Sequence, residues 1–127
     1  MLVKTNVLVV DDSGFARRTL RQILESAGHN VDEAKDGWEA LERYTLNRPK
    51  VVLLDIIMEG MPGMEVLAKL REFDREARIV LATADTQTAT RTEAEAAGAR
   101  GLVQKPFERE QVLQAIETVA AGGVAWN

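Results

Sequence analysis

Four short apolar runs, each closed by a residue able to do chemistry, constrain this chain more than anything else in it. Val7-Leu8-Val9-Val10 leads into Asp11 and Asp12, and Val51-Val52-Leu53-Leu54 leads into Asp55. Ile79-Val80-Leu81-Ala82 leads into Thr83, and Gly101-Leu102-Val103-Gln104 leads into Lys105 and Pro106. Apolar runs of this length, set between helix-like stretches, read as parallel strands buried on both faces. In open α/β sheets the working crevice lies beyond the carboxyl ends of the strands, so the residues closing the runs are expected to meet there. Three carboxylates, one hydroxyl and one ammonium in such a crevice suit a divalent metal and a phosphoryl group.

The intervening stretches supply helices. Strand one is expected over Asn6–Asp11, and helix one from Ser13, with Ala16, Leu20, Ile23, Leu24 and Ala27 on one face and Gly28 in its last turn. Strand two, Asn30–Ala34, is short and polar, as an edge strand should be. Asp36-Gly37 turns into helix two, where Ala40, Leu41 and Tyr44 face inward and Pro49 lies beyond the end. Strand three covers Lys50–Asp55, and a loop from Met58 to Gly63 leads into helix three, Met64–Phe73. Strand four is Arg78–Ala82, and helix four is Thr86–Ala97, where repeated threonines lower the propensity. Strand five is Gly101–Gln104, and helix five, Glu108–Ala121, carries Val112, Leu113, Ile116, Val119 and Ala120. This alternation requires a parallel sheet with helices on both faces and right-handed crossovers, but it leaves the strand order open.

Composition narrows the function classes. A chain of 127 residues, 46% apolar, is read as one domain over 1–127 with a real core. No stretch approaches the roughly 20 apolar residues of a membrane span. Without cysteine there are no disulfides and no thiolate metal sites. Met1-Leu2-Val3-Lys4-Thr5 lacks the regions of a signal peptide, so a cytoplasmic location is expected. A net charge of −4 offers no footprint for direct nucleic-acid contact, and the cluster Arg17, Arg18 and Arg21 reads as a solvated helix face.

Taken in order, the motifs resemble the receiver domain of two-component response regulators, the single-domain, CheY-like members in particular. The resemblance rests on Val9-Val10-Asp11-Asp12-Ser13 with Arg17-Arg18, and on Glu33-Ala34-Lys35-Asp36-Gly37. It continues through Asp55-Ile56-Ile57-Met58 with Gly60-Met61 and Gly63, then Ala82-Thr83-Ala84, and ends with the run from Gly98 to Phe107 that contains Gln104-Lys105-Pro106. Single pieces occur often by chance; the whole series, at strand ends, does not. The resemblance covers nearly the whole chain and implies a flavodoxin-like (βα)5 three-layer sandwich, a five-stranded parallel sheet of order 2-1-3-4-5.

It also implies roles. A carboxylate attacks a charged phosphate poorly, and Mg²⁺ lowers that obstacle by neutralising oxygens and aligning the attack. Asp55 is then the phosphoacceptor and, with Asp12, a direct Mg²⁺ ligand, while Asp11 acts through water and the Ile57 main-chain carbonyl joins the set. Lys105 supplies a point charge for a phosphoryl oxygen and is expected to pair with Asp55 beforehand. Thr83 offers a hydroxyl, Ala84 leaves room, and a cis peptide before Pro106 would help aim Lys105. The implied donor is a sensor histidine kinase or phosphotransfer protein. The implied readout is a phosphorylation-driven switch, met by a downstream protein on the face of helix four, strand five and helix five, without membrane insertion.

Departures and rival readings sharpen the expectation. Leu102 stands where an aromatic switch residue is common, Glu59 where a proline follows the methionine, and Pro62 where Asp or Asn precedes the glycine. Ile57 is expected to hinder attacking water and Asp85 to position it. A small phosphatase needs a second acid two residues after its nucleophile, where Ile57 stands. A pseudo-receiver would lack acids that are present here. A receiver excised from a DNA-binding regulator or hybrid kinase would look the same, although ending after helix five suits a stand-alone regulator. Singly, each strand-end Asp also reads as a helix cap, Thr83 as a strand terminus and Lys105 as a surface charge. His29 is expected to be solvated beside a turn, Asp36 to shape a turn, and Trp38 and Trp126 to serve packing or, for Trp126, a loose tail.

Overall fold

The computed structural model describes residues 4–84 and 88–126. Strands and helices alternate: β1 (Asn6–Val10), α1 (Gly14–Ser26), β2 (Asn30–Ala34), α2 (Gly37–Asn47), β3 (Val51–Asp55), α3 (Gly63–Phe73), β4 (Ile79–Thr83), α4 (Thr88–Ala96), β5 (Gly101–Gln104) and α5 (Arg109–Ala120). Every expected element is present, with described boundaries moved by one or two residues; the expected start of helix four at Thr86 lies outside the described residues. The shift that matters is in β4, which extends to include Thr83.

All pairs are parallel, and the sheet order is β2-β1-β3-β4-β5. Val7 pairs with Val31 on one side and Val51 on the other, so the chain reverses its direction of growth about β1. A crevice opens at such a switch point. Period-two side chains divide the apolar runs between two cores. Leu8, Val10, Val52, Leu54, Ile79 and Leu81 share a cluster with Ala40 and Tyr44 of α2 and with Val66, Leu67 and Leu70 of α3. Val7, Val9, Val51, Leu53 and Val80 pack instead with Leu20 and Leu24 of α1 and with Val112, Ile116 and Val119 of α5. The result is three layers. Burial of each large side chain is worth about 1.5–3 kcal/mol against exposure, which is why two-sided strands tolerate no polar residue until they reach the rim.

Local chemistry sets the helix starts that face that rim. The Ser13 hydroxyl caps α1 by accepting from Ala16 N–H at 3.2 Å, and Asp36 caps α2 by accepting from Glu39 N–H at 2.8 Å. Asp36 is therefore a cap as well as a turn former. Gly28, at φ 89°, takes the left-handed conformation that ends α1.

His29 departs from the expectation of a solvated side chain: it is 3% exposed. Its Nδ1 accepts the Thr5 N–H at 3.1 Å, and its main-chain N–H bonds to the Leu24 carbonyl, so the residue is tied both to the end of α1 and to the segment before β1. Its Nε2 is buried without a hydrogen-bond partner. Trp38 is 69% exposed and packs little, whereas Trp126 is half-buried against the α2–α3 core. The segment before Trp126 is tied to β5 by a parallel bridge between Ala125 and Gly101, so it is no loose tail. Among the described residues, no helix is long and apolar enough to cross a membrane.

Tyr44 links α2 to the end of α3, donating its hydroxyl to Asp74 Oδ2 at 2.7 Å. That bond, followed by the Glu76 N–H, holds the Asp74 carboxyl below its ordinary value. Tyr44→Phe is expected to lose about 1–2 kcal/mol in urea unfolding at neutral pH. The loss should shrink as acid protonates Asp74, because a depressed carboxyl gives its stability above the unfolded value and loses it as pH falls through the folded one. A deficit independent of pH would disprove the ionic character of the bond.

Candidate functional site

The rim residues meet as the strand ends require. Asp11 follows β1, Asp55 is the last residue of β3, Thr83 is the last of β4, and Lys105 follows β5. Asp11, Asp12 and Asp55 each offer a carboxylate oxygen, and these oxygens lie within 4.8 Å of one another. Asp11 is 1% and Asp55 5% exposed, whereas Asp12 opens to solvent. Lys105 Nζ stands 3.0 Å from Asp11 Oδ2 and 3.4 Å from Asp55 Oδ2. The expected Lys105–Asp55 pair exists, but Asp11 is the nearer partner. Thr83 is buried one register step beyond Ala82, the partner of Asp55 in β4. The Ile57 side chain is 72% exposed, and its N–H points to Asp55 Oδ1 at 3.4 Å. Ala84 is exposed, and Asp85 lies outside the described residues.

Main-chain contacts hold these groups in place. The Asp11 N–H bonds to the Ala34 carbonyl at 3.1 Å, and Asp11 Oδ1 accepts from Ser13 N–H at 2.9 Å, so one Asp11 oxygen shapes the loop while the other meets Lys105. Behind Asp55, the Gly63 N–H bonds to the Ile56 carbonyl at 2.8 Å. A Cβ at Gly63 would lie 2.2 Å from the Asp55 carbonyl oxygen, so only glycine lets α3 start this close to β3. Pro62 caps α3 without a side-chain bond, the structural outcome of that departure. The Lys105 N–H bonds to the Thr83 carbonyl at 2.8 Å, and the Lys105–Pro106 peptide is cis, as expected.

Two supports escaped the sequence reading. Glu59 N–H donates to Asp12 Oδ2 at 3.2 Å, a contact that a proline at this position could not make. Arg17 and Arg21 are also no solvated face. Arg17 donates to the Asp11 main-chain carbonyl at 2.6 Å and to Glu33 Oε1 at 3.0 Å, while Arg21 takes Glu33 Oε2 at 2.6 Å. The Arg21 hydrogen bond, first among the causes, holds the Glu33 carboxyl below its ordinary value. The signal was present in the spacing, since Arg17 and Arg21 stand one helical turn apart opposite the one acid of β2 that can reach both. Arg17→Met is expected to weaken Mg²⁺ binding several-fold and to cost about 1 kcal/mol, while exposed Arg18→Met does neither. Isothermal titration and urea unfolding read the two effects, and equal Mg²⁺ affinity in both variants would remove Arg17 from the site's support.

Charge is unbalanced in the crevice. Burial first, and the neighbouring Asp11 charge second, push the Asp55 carboxyl above its ordinary value despite Lys105. Burial would lower the Lys105 ammonium, but the hydrogen bond and charge of Asp11, with Asp55 behind, outweigh it and raise it. Three carboxylates facing one ammonium leave excess negative charge for a further cation. The donors are all oxygen, two buried and one open to solvent, which fits a hard ion such as Mg²⁺ that keeps part of its water.

Comparison with known proteins agrees with this geometry. The response regulator receiver domain family matches residues 7–117. The chain belongs to that family. This receiver is 42% identical over 113 residues to the chemotaxis protein CheY of Halobacterium salinarum, covering 89% of this chain and 94% of that one. It is 37% identical over 115 residues to CheY of Thermotoga maritima, covering 90% and 96%. Among solved structures, Vibrio cholerae CheY4 superposes with a TM-score of 0.87 at 33% identity, covering 92% of this receiver and 99% of that chain. A LuxR-family response regulator from Aurantimonas superposes with a TM-score of 0.92, also at 33% identity, over 97% and 89%. The flavodoxin-like fold, the strand order and the two-component response-regulator class all stand as the motifs implied.

Proposed function

We propose that this receiver takes a phosphoryl group onto Asp55 from a histidine kinase or phosphotransfer protein and passes the signal to a protein target. The observation that carries the reading is the convergence of the Asp11, Asp12 and Asp55 carboxylates within 4.8 Å, with Lys105 Nζ at 3.4 Å from Asp55. Mg²⁺, held by these carboxylates and the Ile57 main-chain carbonyl, would neutralise phosphoryl oxygens during an in-line transfer. An Asp55 oxygen forms the new P–O bond while the P–N bond to the donor imidazole breaks, and the departing nitrogen keeps the electron pair. Lys105, paired with Asp11 and Asp55 at rest, turns its charge to a phosphoryl oxygen. Thr83 donates its hydroxyl to another.

The switch follows from connectivity. Lys105 and Thr83 are joined through the Lys105 N–H and Thr83 carbonyl, so movement of either end pulls on β5 and on α4 beyond β4. The face formed by α4, β5 and α5 is where a downstream protein would read that movement. Leu102, half-buried against the α2–α3 core, answers by repacking rather than by swinging a ring. A phosphatase reading fares worse, because exposed Ile57 stands where its proton donor would be.

Intact mass after incubation with acetyl phosphate and Mg²⁺, with fast quenching, tests the proposal. One added phosphoryl group, absent when EDTA is included, is the expected result. No adduct under conditions where Mg²⁺ binding is verified would favour a receiver that works by contact alone.

A further inference from the structure

After α5, Gly122 at φ 98° turns the chain back, and its N–H and that of Gly123 bond to the Val119 and Thr118 carbonyls at 3.0 and 2.9 Å. The following residues return along the outer edge of β5, the last strand in the sheet order. Ala125 N–H donates to the Arg100 carbonyl at 2.8 Å, and the Ala125 carbonyl accepts from Leu102 N–H at 3.1 Å. Gly101 lets the backbones approach, since a Cβ there would lie 2.8 Å from the Ala125 oxygen. Trp126 then packs against the α2–α3 core, and the Arg91 guanidinium of α4 sits 5.5 Å from its ring centroid. The match to the receiver-domain family ends at residue 117, within α5.

We propose that the edge of β5, with Arg91, is a strand-addition site for an extended protein segment in which an apolar residue precedes an aromatic one. Val124–Trp126 is its resident occupant in cis. The strap shows what the site accepts. Arg100 and Leu102 offer main-chain groups to one residue of any parallel strand, and such groups give affinity without reading sequence. Ala125 is half-buried against the core of α1 and α5, so the position facing Gly101 takes an apolar side chain. Arg91 favours a ring in the next position, through the attraction of a cation to an aromatic face. The hold is short: one bridge, against the four paired positions that join β4 to β5. A cover of this kind shields an edge from indiscriminate pairing, and one that detaches while the sheet stays intact is open to replacement. Arg91 of α4 and the edge of β5 belong to the face assigned above to a downstream protein, so the proposal rests on that reading for its partner, while peptide binding to the edge needs no phosphoryl transfer.

Amide hydrogen exchange on the wild-type chain, followed by NMR, is the first test. The Leu102 amide is expected to exchange at least about tenfold faster than the amides of Val80–Ala82, at a rate insensitive to low denaturant. Exchange of Leu102 only through global unfolding would overturn the proposal. The second test uses Ala125→Pro in the full chain, which removes the N–H given to Arg100. A synthetic Gly-Val-Ala-Trp-Asn peptide should shift the Gly101 and Leu102 resonances of this variant saturably, with a response about tenfold weaker in wild type, where the site is filled. A peptide with alanine in place of tryptophan should also bind about tenfold more weakly. No saturable shift in a natively folded variant, an equal response in wild type, or a variant that cannot fold without its strap would each overturn the assignment.

Discussion

Asp55→Asn is expected to accept no phosphoryl group and, without metal, to be more stable than wild type. The two effects have one origin. Asp55 is 5% exposed and faces Asp11, so its negative charge is kept in a place that opposes it. The amide retains the side chain's shape and its acceptor for Ile57 N–H, while Lys105 keeps its nearer partner, Asp11 at 3.0 Å. Relief of burial and like-charge repulsion should add about 1 kcal/mol in metal-free urea unfolding. The pH dependence identifies the cause. A carboxyl raised above its unfolded value gives its full stabilisation below that unfolded value and loses it as pH rises through the folded one. Wild type should therefore lose stability across that window, and Asp55→Asn should lose less. Mg²⁺ should close the gap by stabilising wild type far more than the variant. A variant less stable than wild type at neutral pH would mean that Lys105 outweighs Asp11 and burial at this carboxylate.

Lys105→Met should have the opposite sign and a larger magnitude. Removal of the ammonium leaves Asp11 and Asp55 facing each other with no cation between them, and breaking a largely buried pair in this way costs about 3 kcal/mol. Because Nζ holds Asp11 Oδ2, it competes with any metal drawn to the same carboxylates. The variant should bind Mg²⁺ about tenfold more tightly, and saturating Mg²⁺ should restore most of its stability. Titration calorimetry and thermal unfolding with and without Mg²⁺ measure both. Weaker Mg²⁺ binding in Lys105→Met would show instead that the lysine organises the carboxylates for the ion.

The strands were legible because each apolar run ends abruptly at a polar residue, and a strand buried on both faces cannot end otherwise. The same abruptness exposed Asp11, Asp55, Thr83 and Lys105, and family resemblance then assigned their roles. Strand order came from that resemblance, since alternating helices and strands are equally consistent with several orders. What stayed hidden depends on tertiary neighbours. His29 looked like an ordinary turn residue, yet it is buried beside Thr5, the residue before β1, whose N–H it accepts. Arg17 and Arg21 looked solvated because their partner, Glu33, lies on another element. The strap was missed because a single bridge leaves no periodic trace in a short run of small residues.

The hydrogen bond from Glu59 to Asp12 belongs to the peptide unit and not to the side chain that names the position. Every amino acid except proline carries that donor. The glutamate can therefore be exchanged widely while the contact endures, and only a residue whose ring consumes its own amide hydrogen can erase it. Variation at this position would then report on the surface and not on the acidic loop beneath it. A deep mutational survey would show the site as permissive with one forbidden letter, the mark of a function written in the backbone.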